Sequence, residues 1–340
     1  MNSAHSHRGQ TRIRSFIAAL LAGGCVILLN GCNCACTNAA AASQPSTQAA
    51  VPQDTGEPAA GQPVFNTDEE AASVLVDAAK ACNHEEVHRL LGPDWKNLVS
   101  GDPVEDANAF KEFADRASEH MQLEQTNDST AILHVGNDDW AFPIPIVKDS
   151  EGQWFLDTPA GEQEILCRRI GRNELEAIGV CHAYVQAQRE YESEDRDGSG
   201  VMKYAQRILS TPGKHDGLYW ETDNPQDASP LASQIAKAKV EGYSLQPGKH
   251  QPYHGYHFRI LAAQGPDAPG GQYSYVINGN MVAGFALVAF PADYGSSGIM
   301  TFIVNQSGVV YQKDLGPDTV TLARQMHEYN PDSSWTPVKD

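Results

Sequence analysis

The sequence predicts an α+β protein of two domains behind an export leader, and three observations carry that reading. Apolar residues recur first at helical and then at alternating spacing, and this helix-then-strand order runs twice along the chain. In both strand regions the runs are short and divided by turn residues, the mark of antiparallel meanders. A stretch rich in Ala, Ser, Thr, Gln and Pro parts the leader from the first helix.

The leader comes first. His7, Arg8, Arg12 and Arg14 precede an apolar run from Phe16 to Leu29 that ends at Gly31 and Cys32, the layout of a secretory signal. At about 14 residues the run is shorter than the roughly 20 that a spanning helix needs. Leu29-Asn-Gly-Cys32 resembles the lipobox of bacterial lipoproteins, which implies a signal peptide over residues 1–31 and lipidation, palmitate included, of Cys32. The rival site, Ala22-Gly-Gly-Cys25, would leave Val26 to Leu29 stranded in the mature chain. Acyl chains contribute about 0.8 kcal/mol per buried methylene, so several chains hold a protein on a membrane without a spanning helix. The body then faces the periplasm or the cell exterior. The resemblance adds that Asn33, rather than Asp, permits transfer to the outer membrane in two-membraned bacteria.

Residues 32–62 read as a flexible tether, because they lack the apolar surface that offsets chain ordering. A first domain is predicted over residues 63–171. Thr67-Asp-Glu-Glu70 is a capping box, followed at helical spacing by Ala71, Val74, Leu75, Ala78 and Cys82. A short helix from His84 to Leu91 stops at Gly92-Pro93, and a third spans about Glu105 to His120. Strands are predicted at Met121–Gln125, Ala131–Val135, Phe142–Val147 and Gln153–Leu156. Pro143 and Pro145 lack donors, which predicts a sheet edge for their strand. Helices followed by a curling meander resemble the cone-shaped NTF2-like fold, whose sheet surrounds a cavity.

Thr158-Pro159 opens a further helix, Gly171 is read as its interruption and the domain boundary, and Asn173-Glu-Leu-Glu176 as a second capping box. The second domain, residues 172–340, then holds a helix to about Tyr191, an irregular stretch, a helix from Ser229 to Val240 and terminal strands. Those strands are Tyr253–Leu261, Tyr273–Ile277, Ala283–Ala289 and a hairpin of Met300–Asn305 with Val309–Lys313. This order resembles the globular head of type IV pilins and pseudopilins. The hydrophobic stem that builds a pilus is missing, which argues against a filament subunit.

A further resemblance is carried by longer motifs: Gly136-Asn-Asp-Asp-Trp140, Arg168-Arg-Ile-Gly-Arg-Asn-Glu174, Ser210-Thr-Pro-Gly213, Asp216-Gly-Leu-Tyr-Trp220, Pro252-Tyr-His-Gly-Tyr256 and Lys313-Asp-Leu-Gly-Pro-Asp318. These resemble the bacterial family of unknown function known as DUF twenty-nine-fifty, over about Phe65 to Val338. The resemblance implies an exported protein and supplies no activity or catalytic residue.

Charge narrows the function. A net charge of −19 and a pI near 4.9 oppose nucleic-acid binding, which needs a basic footprint. His84-Glu85-Glu-Val-His88 matches H-E-x-x-H, the pattern that places two imidazoles on one helical face for zinc with a glutamate as base. No completing ligand motif follows, Val87, Leu90 and Leu91 supply the buried face, and a solvated helix face is the favoured reading. Asp195, Asp197 and Ser199 resemble the start of an EF-hand loop, but its twelfth position is Gln206, so any calcium bound would be weak and structural. The alternative is an acidic turn that needs no ion.

Tyr253, His257 and Arg259 fall on one side of a predicted strand and are the candidate ligand surface, with Tyr219, Trp220 and Tyr243 as extensions; core packing is the competing role. Cys167 and Cys181, 14 residues apart on one helix, would be separated by about 21 Å and cannot be bridged if the helix is continuous. The leading expectation is a non-catalytic, lipid-anchored envelope protein that binds a protein or other envelope component. A hydrolase working through His84, Glu85 and His88 is the rival, and ligand capture inside the first domain is the third reading.

Overall fold

The computed structural model describes residues 56–244 and 251–339; Cys32, the leader and most of the tether lie outside the described residues. Helix and strand are both abundant and the sheets are antiparallel except for one short parallel pair, so the class is α+β. The described residues belong to one compact unit that contains two hydrophobic cores.

Helices α1 (Asp68–Lys80), α2 (His84–Leu91), α3 (Trp95–Leu98) and α4 (Pro103–Glu119) come first. The capping box forms as predicted: Thr67 accepts the Glu70 N–H at 3.1 Å, and the Glu70 carboxylate reaches back to the Asn66 N–H. Order begins before this box. Gln62 donates to the carbonyls of Leu90 and Leu156, so the folded body takes in the end of the predicted tether.

The first sheet contains β1 (Met121–Asn127), β2 (Thr130–Val135), β3 (Trp140–Ala141), β4 (Ile146–Lys148) and β5 (Trp154–Leu156), ordered β1-β2-β4-β5 with β3 also on β2. The expected proline edge strand is corrected. Pro143 and Pro145 lie in the break between β3 and β4, which pair with opposite ends of β2, and β4 is interior. The break lets Pro143-Ile144 drop onto the following helix at Gly161, where a Cβ would stand 2.8 Å from both the Ile144 Cα and the Pro143 carbonyl oxygen. Leu133, Val135, Ile146, Trp154 and Leu156 pack with Ala71, Ala72 and Leu75 into the first core. The inner face of this sheet is therefore packed with the protein's own side chains.

Helix α5 (Thr158–Glu192) then runs for 35 residues, about 52 Å at 1.5 Å per residue. Gly171 neither breaks it nor touches anything within 4 Å of a built Cβ. Asn173 does not cap a new helix; it is fully buried and bonds to another segment, as set out below. Continuity also keeps Cys167 and Cys181 apart, and neither is in a disulfide. Because Gly171 is exposed and helical, Gly171→Ala is expected to stabilise the protein by about 0.5–1 kcal/mol by reducing unfolded-state freedom. Urea denaturation reads this directly; destabilisation would mean that the helix opens at this point.

The second core lies under the C-terminal half of α5. Helix α6 (Ala232–Glu241) and β6 (Tyr256–Leu261) precede the short strands β7 (Ala263–Gln264), β8 (Tyr273–Ser274), β9 (Val276–Ile277) and β10 (Asn280–Met281). Then come β11 (Ala286–Pro291), β12 (Met300–Asn305), β13 (Val310–Asp314), helix α7 (Thr319–Gln325), β14 (Glu328–Tyr329) and β15 (Thr336–Pro337). The main sheet is ordered β15-β13-β12-β11-β6. The hairpin Met300–Asn305 with Val310–Asp314 forms where the alternation predicted it. Ala177, Cys181, Tyr184 and Val185 of α5 pack onto Leu287, Phe302 and Val304, while α7 rests against β11.

Candidate functional site

A cleft of about 670 Å³ opens beside β6, an edge strand of the main sheet. Its walls are α5 (Val180, Ala183, Tyr184), α6 (Gln234, Ile235, Ala238) with Leu231 just before it, the segment 206–212, and β6 itself. The volume lies within the ~300–1,000 Å³ range of small-ligand pockets, and the lining is mostly apolar, as such pockets usually are. Among the described residues no carboxylate lines it, although 43 of the 340 residues are Asp or Glu, and the charged side chains of the described lining are Arg207 and Arg259.

All three residues predicted as a ligand surface, Tyr253, His257 and Arg259, line this cleft, as does Tyr243. Their geometry differs from the prediction. Tyr253 is off the strand, turned away by positive φ angles of 45° at His254 and 68° at Gly255. Its hydroxyl donates to Glu241, which His254 also contacts at 3.1 Å. Arg259 sends its guanidinium to the other face of the sheet, where it donates to the carbonyls of Ala323 and Met326 and closes the end of α7. Burial pushes its pKa down. Arg259 thus borders the cleft while its charged end holds a helix, and His257 sits 5.5 Å from the Phe290 ring. Tyr219 and Trp220 line a separate recess of about 310 Å³.

The rim is tied to the first half of the fold. The Tyr243 hydroxyl donates to Asp102 at 2.9 Å, and Asn108 donates to the Glu241 carbonyl. Burial, with Asp102 next, raises the Tyr243 pKa.

Helical spacing could not reveal how many directions the Arg168–Glu174 turn of α5 reaches. Arg168 donates to the Ala141 carbonyl and Arg169 to that of Leu98; Arg172 pairs with Glu105 at 2.7 Å. Asn173 donates to the Ser297 carbonyl, and Glu174 accepts the N–H groups of Ile299 and Met300. The Ser210 to Trp220 motifs are likewise structural. Asp216 accepts from the backbone and hydroxyl of Thr211, and a Cβ on Gly217 would lie 2.7 Å from the Ser210 nitrogen.

The metal candidates are organised differently. His88 is not turned to solvent as predicted: it is half-buried and stacked on Trp95 at 3.6 Å, and burial, then His84, pushes its pKa down. His84 lies 4.1 Å from the Phe110 ring. In the acidic loop, Asp195 accepts the N–H groups of Ser199 and Gly200. Lys203 Nζ stands 2.7 Å from Asp197 and 3.0 Å from the Ser199 hydroxyl, so the chain's own ammonium contacts two of the three residues of the calcium-like motif. That hydrogen bond is the main cause that lowers the Asp197 pKa. Among the described residues no group of three or more His, Cys, Asp or Glu side chains is placed to hold a metal ion. Lys203→Gln should therefore cost about 1 kcal/mol, a partly exposed charge-assisted pair, and millimolar calcium should leave the wild-type melting temperature unchanged. A calcium-dependent rise in a thermal melt would show that the ion displaces Lys203.

Fold and cleft together define an α+β protein with a largely apolar recess on the edge of its main sheet, free of carboxylates among the described residues. Residues 62–338 match the family described as Protein of unknown function (DUF2950), and the chain belongs to that family. No curated protein and no solved structure matches the chain. Among the described residues no helix is long and apolar enough to cross a membrane.

Proposed function

We propose that this is an exported, non-catalytic binding protein, lipid-anchored through Cys32 in the bacterial envelope, that captures its ligand in the cleft beside β6. The carrying observation is the cleft itself, apolar and free of carboxylates in a chain of net charge −19. The anchor rests on the leader and on Gly31-Cys32. With roughly 30 residues of tether, such a body could reach a partner several nanometres from its membrane.

The test uses an apolar anion, the anilinonaphthalene sulfonate dye, on the folded mature chain. Saturable binding that is lost in Ala183→Trp, with the melting temperature retained, supports capture in the cleft; unsaturable binding or indifference to Ala183→Trp overturns it. Palmitate labelling tests the anchor separately: Cys32→Ala should abolish the label and release the protein from the membrane fraction.

A further inference from the structure

The pairing of β6 decides what kind of ligand the cleft suits. In an antiparallel ladder, residues that exchange hydrogen bonds alternate with residues whose N–H and C=O point to the opposite side. The Ala292 N–H donates to the Gly255 carbonyl at 2.8 Å, and the β6–β11 register continues His257 with Phe290, Arg259 with Val288 and Leu261 with Ala286. Tyr256, Phe258 and Ile260 therefore turn their backbone groups away from β11. Tyr256 shows this directly, because it exchanges both of its backbone hydrogen bonds with Tyr253, at 2.9 and 3.0 Å. Phe258 and Ile260 carry the next outward groups, and no described residue pairs with them.

The cleft lies along these groups. His257, Phe258, Arg259 and Ile260 all line it, although their side chains alternate between the two faces of the sheet. A recess touched by four consecutive strand residues straddles the strand's edge rather than covering one face. Two outward residues, each with one donor and one acceptor, offer four main-chain hydrogen bonds over a span of about 7 Å. Beside them Ala183, Tyr184, Leu231, Ile235 and Leu287 form an apolar wall for side chains entering from that edge.

Charge narrows the occupant further. Arg207 is exposed and bonded to the Thr211 hydroxyl, and the carboxylate that interacts with it, Asp216, stands outside the described lining of the cleft. From the open edge, the apolar wall and the exposed Arg207 of the lining, we infer that the cleft takes an extended peptide segment of another envelope protein. The segment adds to β6 as a further strand, presents apolar side chains at alternate positions, and sets an acidic residue against Arg207. Main-chain pairing supplies affinity and the side-chain recess supplies selectivity. Such an edge would otherwise invite unspecific pairing, and its position inside a recess limits access to single strands.

This inference rests on the proposed capture function, and one experiment separates the two. A phage-displayed library of short peptides is selected against the full mature chain, with laurate as a competing aliphatic carboxylate. The expected peptides share alternating apolar positions and an acidic residue, and their binding slows hydrogen exchange at the Phe258 and Ile260 amides. Arg207→Glu should weaken them by about tenfold or more, the loss expected when one charge-assisted hydrogen bond goes. Should laurate bind while selected peptides leave those two amides unprotected, the peptide inference falls and capture stands. If neither laurate nor any peptide binds in a manner sensitive to Ala183→Trp, both fall.

Discussion

Raising the pH from about 10 to 12 is expected to unfold the protein in one steep step, because the second core contains a set of buried phenols that cannot ionise in place. Tyr184, Tyr191, Tyr256, Tyr275 and Tyr329 are each at most 2% exposed. Four of them donate to acceptors: Tyr184 to the Ala286 carbonyl, Tyr191 to that of His215, Tyr256 to that of Met300, and Tyr275 to the Gln264 side chain. A phenolate would face those oxygens with no proton between them. Burial is the first cause that raises all five pKa values, that of Tyr191 to about 12 and the others beyond it.

The sign follows from linkage. An acid whose folded pKa is raised keeps its proton in the native state while the unfolded chain releases it from about pH 10. Its stabilising contribution is complete below that pH and is lost as pH rises toward the folded value. Each fully retained proton costs about 1.4 kcal/mol per pH unit, so four such phenols give roughly 5–6 kcal/mol per unit. A domain stability of about 5–15 kcal/mol is consumed within one to three units. Phenolate absorbance and circular dichroism, followed together, should show the exposed tyrosines ionising first and the buried set only with loss of structure. Smooth titration of all tyrosines near pH 10 with native circular dichroism would refute the assignment.

How much of this was legible beforehand depended on how local the signal was. The capping box at Thr67, helix α2 and the β12–β13 hairpin each rest on residues a few positions apart, and each formed where the spacing placed it. Gly171 misled because a glycine in an exposed helical position costs little, whereas Arg169, Arg172 and Glu174 hold the same turn to partners 65 or more residues away. The prolines misled for a related reason: donor loss predicts an edge, but a break between two short strands satisfies the same constraint. Tyr253, His257 and Arg259 were singled out through their chemistry and line one cleft, although the turn at His254 and the use of Arg259 as a helix cap depend on α6 and α7, which no strand periodicity contains. Lys203, which pairs with Asp197 of the acidic loop, lies only a few residues beyond it, and a basic residue near an incomplete calcium motif was the signal available.

Replacing Glu105 by Gln is expected to cost about 3 kcal/mol, the lower end of the range for breaking a buried ion pair. Glu105 is 6% exposed, lies in the first turn of α4, and bonds to Arg172. Arg172 is about half exposed and can turn to water, which is why the lower end applies. Arg169 cannot. It is 6% exposed, burial pushes its pKa down, and Glu105 is the first charge opposing that effect, ahead of Asp106. Glutamine keeps the volume and removes that charge, so the loss falls on a buried guanidinium. At roughly 2–4 °C per kcal/mol for a folded unit of this size, the melting temperature should drop by about 6–12 °C. Because α5 contributes to both cores, the effect should not stay in the first. Hydrogen exchange at Leu133 in the first core and at Ile303 in the second should accelerate in parallel. If only Leu133 loses protection, the two cores open independently, and the Arg168–Glu174 turn is a local strut for the first rather than the joint through which one helix makes them a single cooperative body.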